Sequence, residues 1–152
     1  MRGSPLWRGL LNSLSICFRG GFFWNEANLD SMAEPIDLHK KLETIRQFWH
    51  PKIIGEANGQ YIKLARCEGE LEWHRHQEED EVFLCLEGQL RLEMRDEEVV
   101  LNPGELFVVP RGVEHKPHAQ PNTSVLLVEP KSTQHLGELE SPRAVNIEEQ
   151  ME

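Results

Sequence analysis

The apolar positions change period once along the chain, at Pro51. Before it, Leu38, Leu42, Ile45 and Trp49 recur at spacings of four, three and four, with Lys40, Lys41, Glu43 and Arg46 on the other side. That stripe predicts a short amphipathic helix over 36–49, ended by Pro51 and packed across the outside or the mouth of a core. After Pro51 the apolar residues alternate. Residues 52–56 and 61–67 read as strands joined through Asn58-Gly59, a strong hairpin signal. Further strands are predicted over 71–76, 82–86, 89–95, 99–101, 105–109, 115–118 and 124–128, separated by Gly, Pro and acidic turns. Many short strands at this spacing predict an all-β, antiparallel sandwich or barrel spanning 52–129.

The two ends differ from this pattern. Residues 1–33 carry Arg2, Arg8 and Arg19 with no acidic residue before Glu26, and hold Trp7 and Trp24. A basic, acid-poor targeting segment is one reading; the preferred one takes Met32 as the natural start and the residues before it as no part of the fold. The domain then covers 34–130. Beyond Pro130 the chain turns polar, and 131–152 reads as a mostly flexible acidic tail, able to pack locally or to join a dimer contact.

Charge narrows the partners. With 26 acidic against 16 basic residues the net charge is −10, which argues against nucleic acid or an anionic membrane as the main partner. No apolar run approaches the roughly 20 residues of a membrane span. Cys17, Cys67 and Cys85 are odd in number and form no C-x-x-C pair; reduced thiols in a cytoplasmic location are expected.

The candidate chemistry centres on Trp73-His74-Arg75-His76. On an extended backbone His74 and His76 share a face, with Cα atoms roughly 6.5 Å apart, so both imidazoles can converge on one ion. H-x-H alone is a weak signal. Glu81 follows after a polar turn, and His115 lies in a second block, Pro103–His115. Three imidazoles and one carboxylate suit a borderline divalent ion such as Fe(II), Mn, Ni, Cu or Zn. Alternation from Glu81 places Phe83 and Cys85 inward, and from His115 places His118 outward. Trp73 should face away from the ligands. His39, His50 and His135 read as surface residues. Tyr61, Lys63, Arg91 and Arg111 are possible contacts for an anionic substrate, each more often a surface residue; Tyr61 is the first candidate for a general base.

Two blocks carry a resemblance. Gly69-x4-His74-x-His76-x4-Glu81-x6-Gly88 resembles the first cupin motif, and Gly104-x5-Pro110-x-Gly112-x2-His115 resembles the second. Two departures stand out: four residues instead of five separate Gly69 from His74, and Ala119 replaces the family's asparagine. Neither is a ligand position. The resemblance implies a double-stranded β-helix, or jelly-roll barrel, with His74, His76, Glu81 and His115 pointing inward as ligands of one divalent ion. It also implies one or two open positions on that ion, as catalytic metals have, and a homodimer that covers sheet edges.

Fold does not give a reaction. The complete ligand set favours a metal-dependent enzyme on a small polar or anionic molecule, either a dioxygenase with Fe(II) or an isomerase or lyase using Zn, Mn or Ni as Lewis acid. A non-catalytic metal- or metabolite-binding cupin is the alternative.

Overall fold

Among the described residues, seven antiparallel strands wrap around a core that one of them, the last, holds together. The computed structural model describes residues 35–151, so every reading of 1–33 lies outside the described residues. Within Ile36–Glu152, one compact unit, the chain runs α1 (Leu38–Thr44), β1 (Lys52–Ala57), β2 (Gln60–Glu70), β3 (Glu81–Glu87), β4 (Leu90–Met94), β5 (Glu98–Leu101), β6 (Leu106–Val109), β7 (His115–Pro130) and α2 (Ile147–Met151). No described helix is long and apolar enough to cross a membrane.

Strand β7 is 16 residues long and merges two predicted strands. Its second half pairs with β2 and β3, in the order β1-β2-β7-β3-β6, while its first half pairs with β4, which carries β5, and with the end of β2 at His118 and Ala119. One long bent strand thereby belongs to both layers of a jelly-roll barrel. The hairpin between β1 and β2 turns at Asn58 (φ 53°) and Gly59 (φ 79°), positive values at both central positions that suit an Asn-Gly pair. Alternate residues of β3 point inward as its period of two requires: Glu81, Phe83 and Cys85 are buried while Val82, Leu84 and Leu86 are half-buried. Phe83 and Cys85 join Cys67, Leu90, Leu92 and Val125 in the main core.

The helix is shorter than its stripe predicts. It is capped by the Asp37 carboxylate, which accepts from the Lys40 N–H, and it ends at Thr44 because Ile45 is already extended (φ −79°, ψ 117°). Ile45 still packs with Leu42 on the outside of β2, against Leu64. Trp49, by contrast, turns at φ 55° into the main core, where its indole N–H donates to the Glu68 carbonyl at 2.8 Å. Two different burial sites, rather than one helical face, satisfy the four apolar positions.

Two other expectations change. Residues 71–76 do not form a strand: β2 runs on to Glu70, and the stretch after it keeps one isolated bridge, His74 to His115. The C-terminal segment is no flexible tail. Thr133, Leu136 and Gln150 are buried, the Ser132 hydroxyl donates to Glu79, and the Ser141 hydroxyl and Arg143 reach Glu72. At Gly137 (φ +58°) an added Cβ would stand 2.0 Å from the Arg75 carbonyl oxygen. The segment therefore lies directly on the loop that carries His74 and His76.

Candidate metal centre

Backbone pairing fixes the first two imidazoles. His74 and His115 exchange both main-chain hydrogen bonds, at 3.0 and 2.9 Å, which sets their side chains opposite each other with ring centroids 4.4 Å apart. His76, two residues on, is held by its carbonyl, which accepts from the Gly112 N–H at 2.7 Å; its ring lies 5.4 Å from that of His74. Glu81 opens β3 and points inward by alternation. The donor atoms of His74, His76, Glu81 and His115 all lie within 4.8 Å of one another, and all four residues are buried.

The hydrogen bonds around the rings decide what those atoms offer. Nδ1–H of His74 donates to the Glu72 carbonyl at 2.8 Å, and Nδ1–H of His115 to the Val113 carbonyl at 3.1 Å. In each neutral ring the proton then sits on Nδ1 and the Nε2 lone pair faces the cluster, the orientation found for metal-bound histidine. His76 Nε2 and His115 Nε2 stand 3.2 and 3.3 Å from the same Glu81 oxygen. Yet all three atoms are buried without a hydrogen-bond partner. The His115 Nε2 lone pair and the Glu81 carboxylate, crowded together, repel one another unless a cation lies between them. The residues present fit a divalent ion.

The charges of the metal-free cluster follow from burial and mutual contact. Burial pushes the His74 pKa down to about 4, with the His115 charge adding to the effect and Glu81 opposing it. Burial also disfavours charge on His76, but Glu81 outweighs it and its pKa lies above the ordinary value. For Glu81 burial acts upward, yet the contacts with His115 and His76 overcome it and hold the carboxyl well below its usual range. Without an ion the carboxylate keeps its charge, and His76 beside it holds a proton more readily than a free imidazole does.

Beside the donors lies a cavity of about 20 Å³, lined by His74, Glu81, Phe83, Leu71, Leu127 and His135 among others. That is room for one water-sized group next to a largely apolar wall. His135 is read from sequence as a surface residue; the structure places it on this wall, half-buried. Tyr61, the candidate base, is not part of the wall. It is buried on β2 opposite Glu129, with the ammonium groups of Lys63 and Lys131 at 5.8 and 5.3 Å from its ring centre.

Lys63 is likewise no surface residue. It is wholly buried, and its ammonium donates to Glu129, itself 3% exposed. Burial, followed by the charge of Glu81, pushes the Glu129 pKa up to about 7 against the pull of Lys63. Strand phase marks both residues: Lys63 falls between Tyr61 and Ala65, and Glu129 follows Val125 and Leu127, all buried. The remaining candidates lie outward. Arg91 pairs with Glu93 and contacts His118 Nδ1 at 2.6 Å, while Arg111 is 3.9 Å from Asp80. Trp73 faces away from the cluster, with the Arg95 guanidinium 4.0 Å over its ring. His39 is exposed, and His50 lies half-buried beside the Glu149 carbonyl.

Comparison with known proteins agrees with this architecture. A family model described as "Cupin domain" matches residues 61–129. A crystal structure of a cupin-2 domain containing protein from Shewanella frigidimarina is 38% identical, with a TM-score of 0.63 over 68% of this chain and 99% of that one. The chain belongs to the cupin superfamily. A second solved structure, of a protein from Neisseria meningitidis, is 31% identical with a TM-score of 0.59, covering 64% of this chain and 100% of its own. YdbB of Bacillus subtilis, an uncharacterized protein, is 35% identical over 82 residues, 53% of this chain and 73% of that one. The cupin match ends at Glu129 and does not reach His135 or the rest of the C-terminal segment.

Proposed function

We propose that this cupin holds one divalent ion, Fe(II), Mn, Ni, Cu or Zn, through His74, His76, Glu81 and His115, and is a metal-dependent enzyme acting on a small molecule with an anionic oxygen. The observation that carries the reading is the set of buried, unpartnered donors: Nε2 of His76, Nε2 of His115 and one oxygen of Glu81. Four protein ligands leave the water-sized space beside them for one further group, the feature that separates catalytic from structural metal sites. A bound ion of this kind supplies either a Lewis acid or a place for oxygen chemistry. The protein's own residues hold His74 and His115 in one tautomer through the Glu72 and Val113 carbonyls, exclude water with Phe83, Leu71 and Leu127, and position the ligand.

The narrow cavity also favours a second reading, a cupin that binds metal or a small metabolite without turnover. Two measurements on the untagged protein separate them. Oxygen uptake by the iron-loaded protein over a panel of small carboxylates supports the dioxygenase form, and conversion without oxygen by the zinc-, manganese- or nickel-loaded protein supports the Lewis-acid form. Full metal occupancy with neither would leave the binder.

The outer face of β3 and β6 presents Val82, Leu84, Leu106 and Val108, the last two 55% and 43% exposed. Strand β6 is a sheet edge. We read this face as the contact with a second copy of the chain. The buried free thiols Cys67 and Cys85 fit a reducing, cytoplasmic compartment.

A further inference from the structure

We infer that the C-terminal segment completes the site, and that His135 is a positioning residue whose Nε2–H donates to an anionic oxygen of the ligand in the cavity. The inference rests on the metal reading above. Three observations carry it. His135 lines the same cavity as His74 and Glu81, and it is the wall's one imidazole outside the proposed metal ligands, the Trp49 N–H being already bound to the Glu68 carbonyl. Its Nδ1 accepts the Val145 N–H at 3.2 Å, so the proton of the neutral ring sits on Nε2, which has no hydrogen-bond partner among the described residues. The segment that carries it is built in place: Thr133 and Leu136 are 1% exposed on either side, and Gly137 meets the Arg75 carbonyl so closely that no Cβ fits.

Burial holds the imidazole neutral, with its pKa pushed down to about 4, so the ring is a fixed donor rather than a second cation. A neutral donor facing an apolar wall suits a small carboxylate or enolate-like oxygen better than a dianion such as phosphate, which calls for Arg or Lys. No Arg or Lys lines this cavity. A hydrogen bond to a charged acceptor in such a place is a large part of a small ligand's affinity.

The test uses cobalt(II) as the ion and azide as the anionic probe, followed by the visible spectrum of the cobalt protein. Wild type is expected to take up one cobalt per chain and to shift its spectrum on azide addition. His135→Phe should bind cobalt as wild type does but bind azide roughly 10- to 100-fold more weakly. His135→Gln, which returns an N–H near the Nε2 position, should recover part of that loss. Equal azide affinity in wild type and His135→Phe, or no azide shift in a cobalt-loaded wild type, overturns the role of His135 and leaves the metal site standing. Failure of wild type to bind cobalt overturns the metal reading and this inference with it.

Discussion

Replacing Lys63 with Met tests whether the barrel interior holds a buried ion pair. Lys63 is 0% and Glu129 3% exposed, and removing one partner of such a pair costs about 3–5 kcal/mol, because the other charge is left uncompensated. Glu129 has a way out, since burial and the Glu81 charge already bring its pKa to about 7. Without Lys63 the carboxyl stays protonated to higher pH. Holding it neutral against an ordinary value of 4.5 costs about 1.4 kcal/mol at pH 5.5 and about 5 kcal/mol at pH 8. The sign follows from the raised folded pKa: stability is present in full below 4.5 and is lost as pH rises through the folded value. In wild type this loss levels off above pH 7, whereas in Lys63→Met it continues at about 1.4 kcal/mol per pH unit. Urea unfolding of the metal-free chain between pH 5.5 and 8.5 reads the difference. Lys63→Met/Glu129→Leu, which removes both charges, should return close to wild-type stability. A Lys63→Met deficit that is small and flat with pH, or a double variant worse than either single one, would refute the argument.

Three further outcomes follow from the same structure. In the metal-free protein, His74 and His135 are depressed to about 4, so their stability is present above 6.5 and lost as pH falls toward 4; thermal unfolding should drop from pH 7 to 5, less steeply in His135→Phe, and equal slopes would contradict the burial of His135. Gly137→Val, which puts a Cβ against the Arg75 carbonyl at a positive φ, should cost about 1–3 kcal/mol and open the segment after Pro130 to limited proteolysis, whereas an unchanged melting temperature and digest would show that the segment does not pack there. Light scattering at micromolar protein should give twice the chain mass for wild type and the monomer mass for Leu106→Lys/Val108→Glu; a wild-type monomer would sink the interface.

The sequence carries the strands and the donor quartet plainly, because both depend on local period and spacing. Phe83 and Cys85 face inward as alternation requires, and Asn58-Gly59 turns where its φ preferences place it. The errors arise where distant contacts decide. The spacing of Ile45 and Trp49 reads as helical, yet each is drawn into a different cluster, and the chain straightens between them. Residues 71–76 have strand-like composition but only one ladder partner, at His115. His135 and Leu136 sit in a stretch without period, so nothing local shows that the segment folds back onto the His74 loop. Lys63 reads as a surface residue from its charge, although its strand phase with Tyr61 and Ala65 points inward, where Glu129 supplies its counter-ion.

Metal analysis of the untagged protein by mass spectrometry shows whether His74, His76, Glu81 and His115 together hold one ion. Wild type is expected to carry one divalent ion per chain, as purified or after reconstitution, and His76→Ala/His115→Ala to lose it, with both proteins folded by circular dichroism. A folded wild type that takes up no metal after reconstitution, or a double variant that retains a full equivalent, would contradict that site.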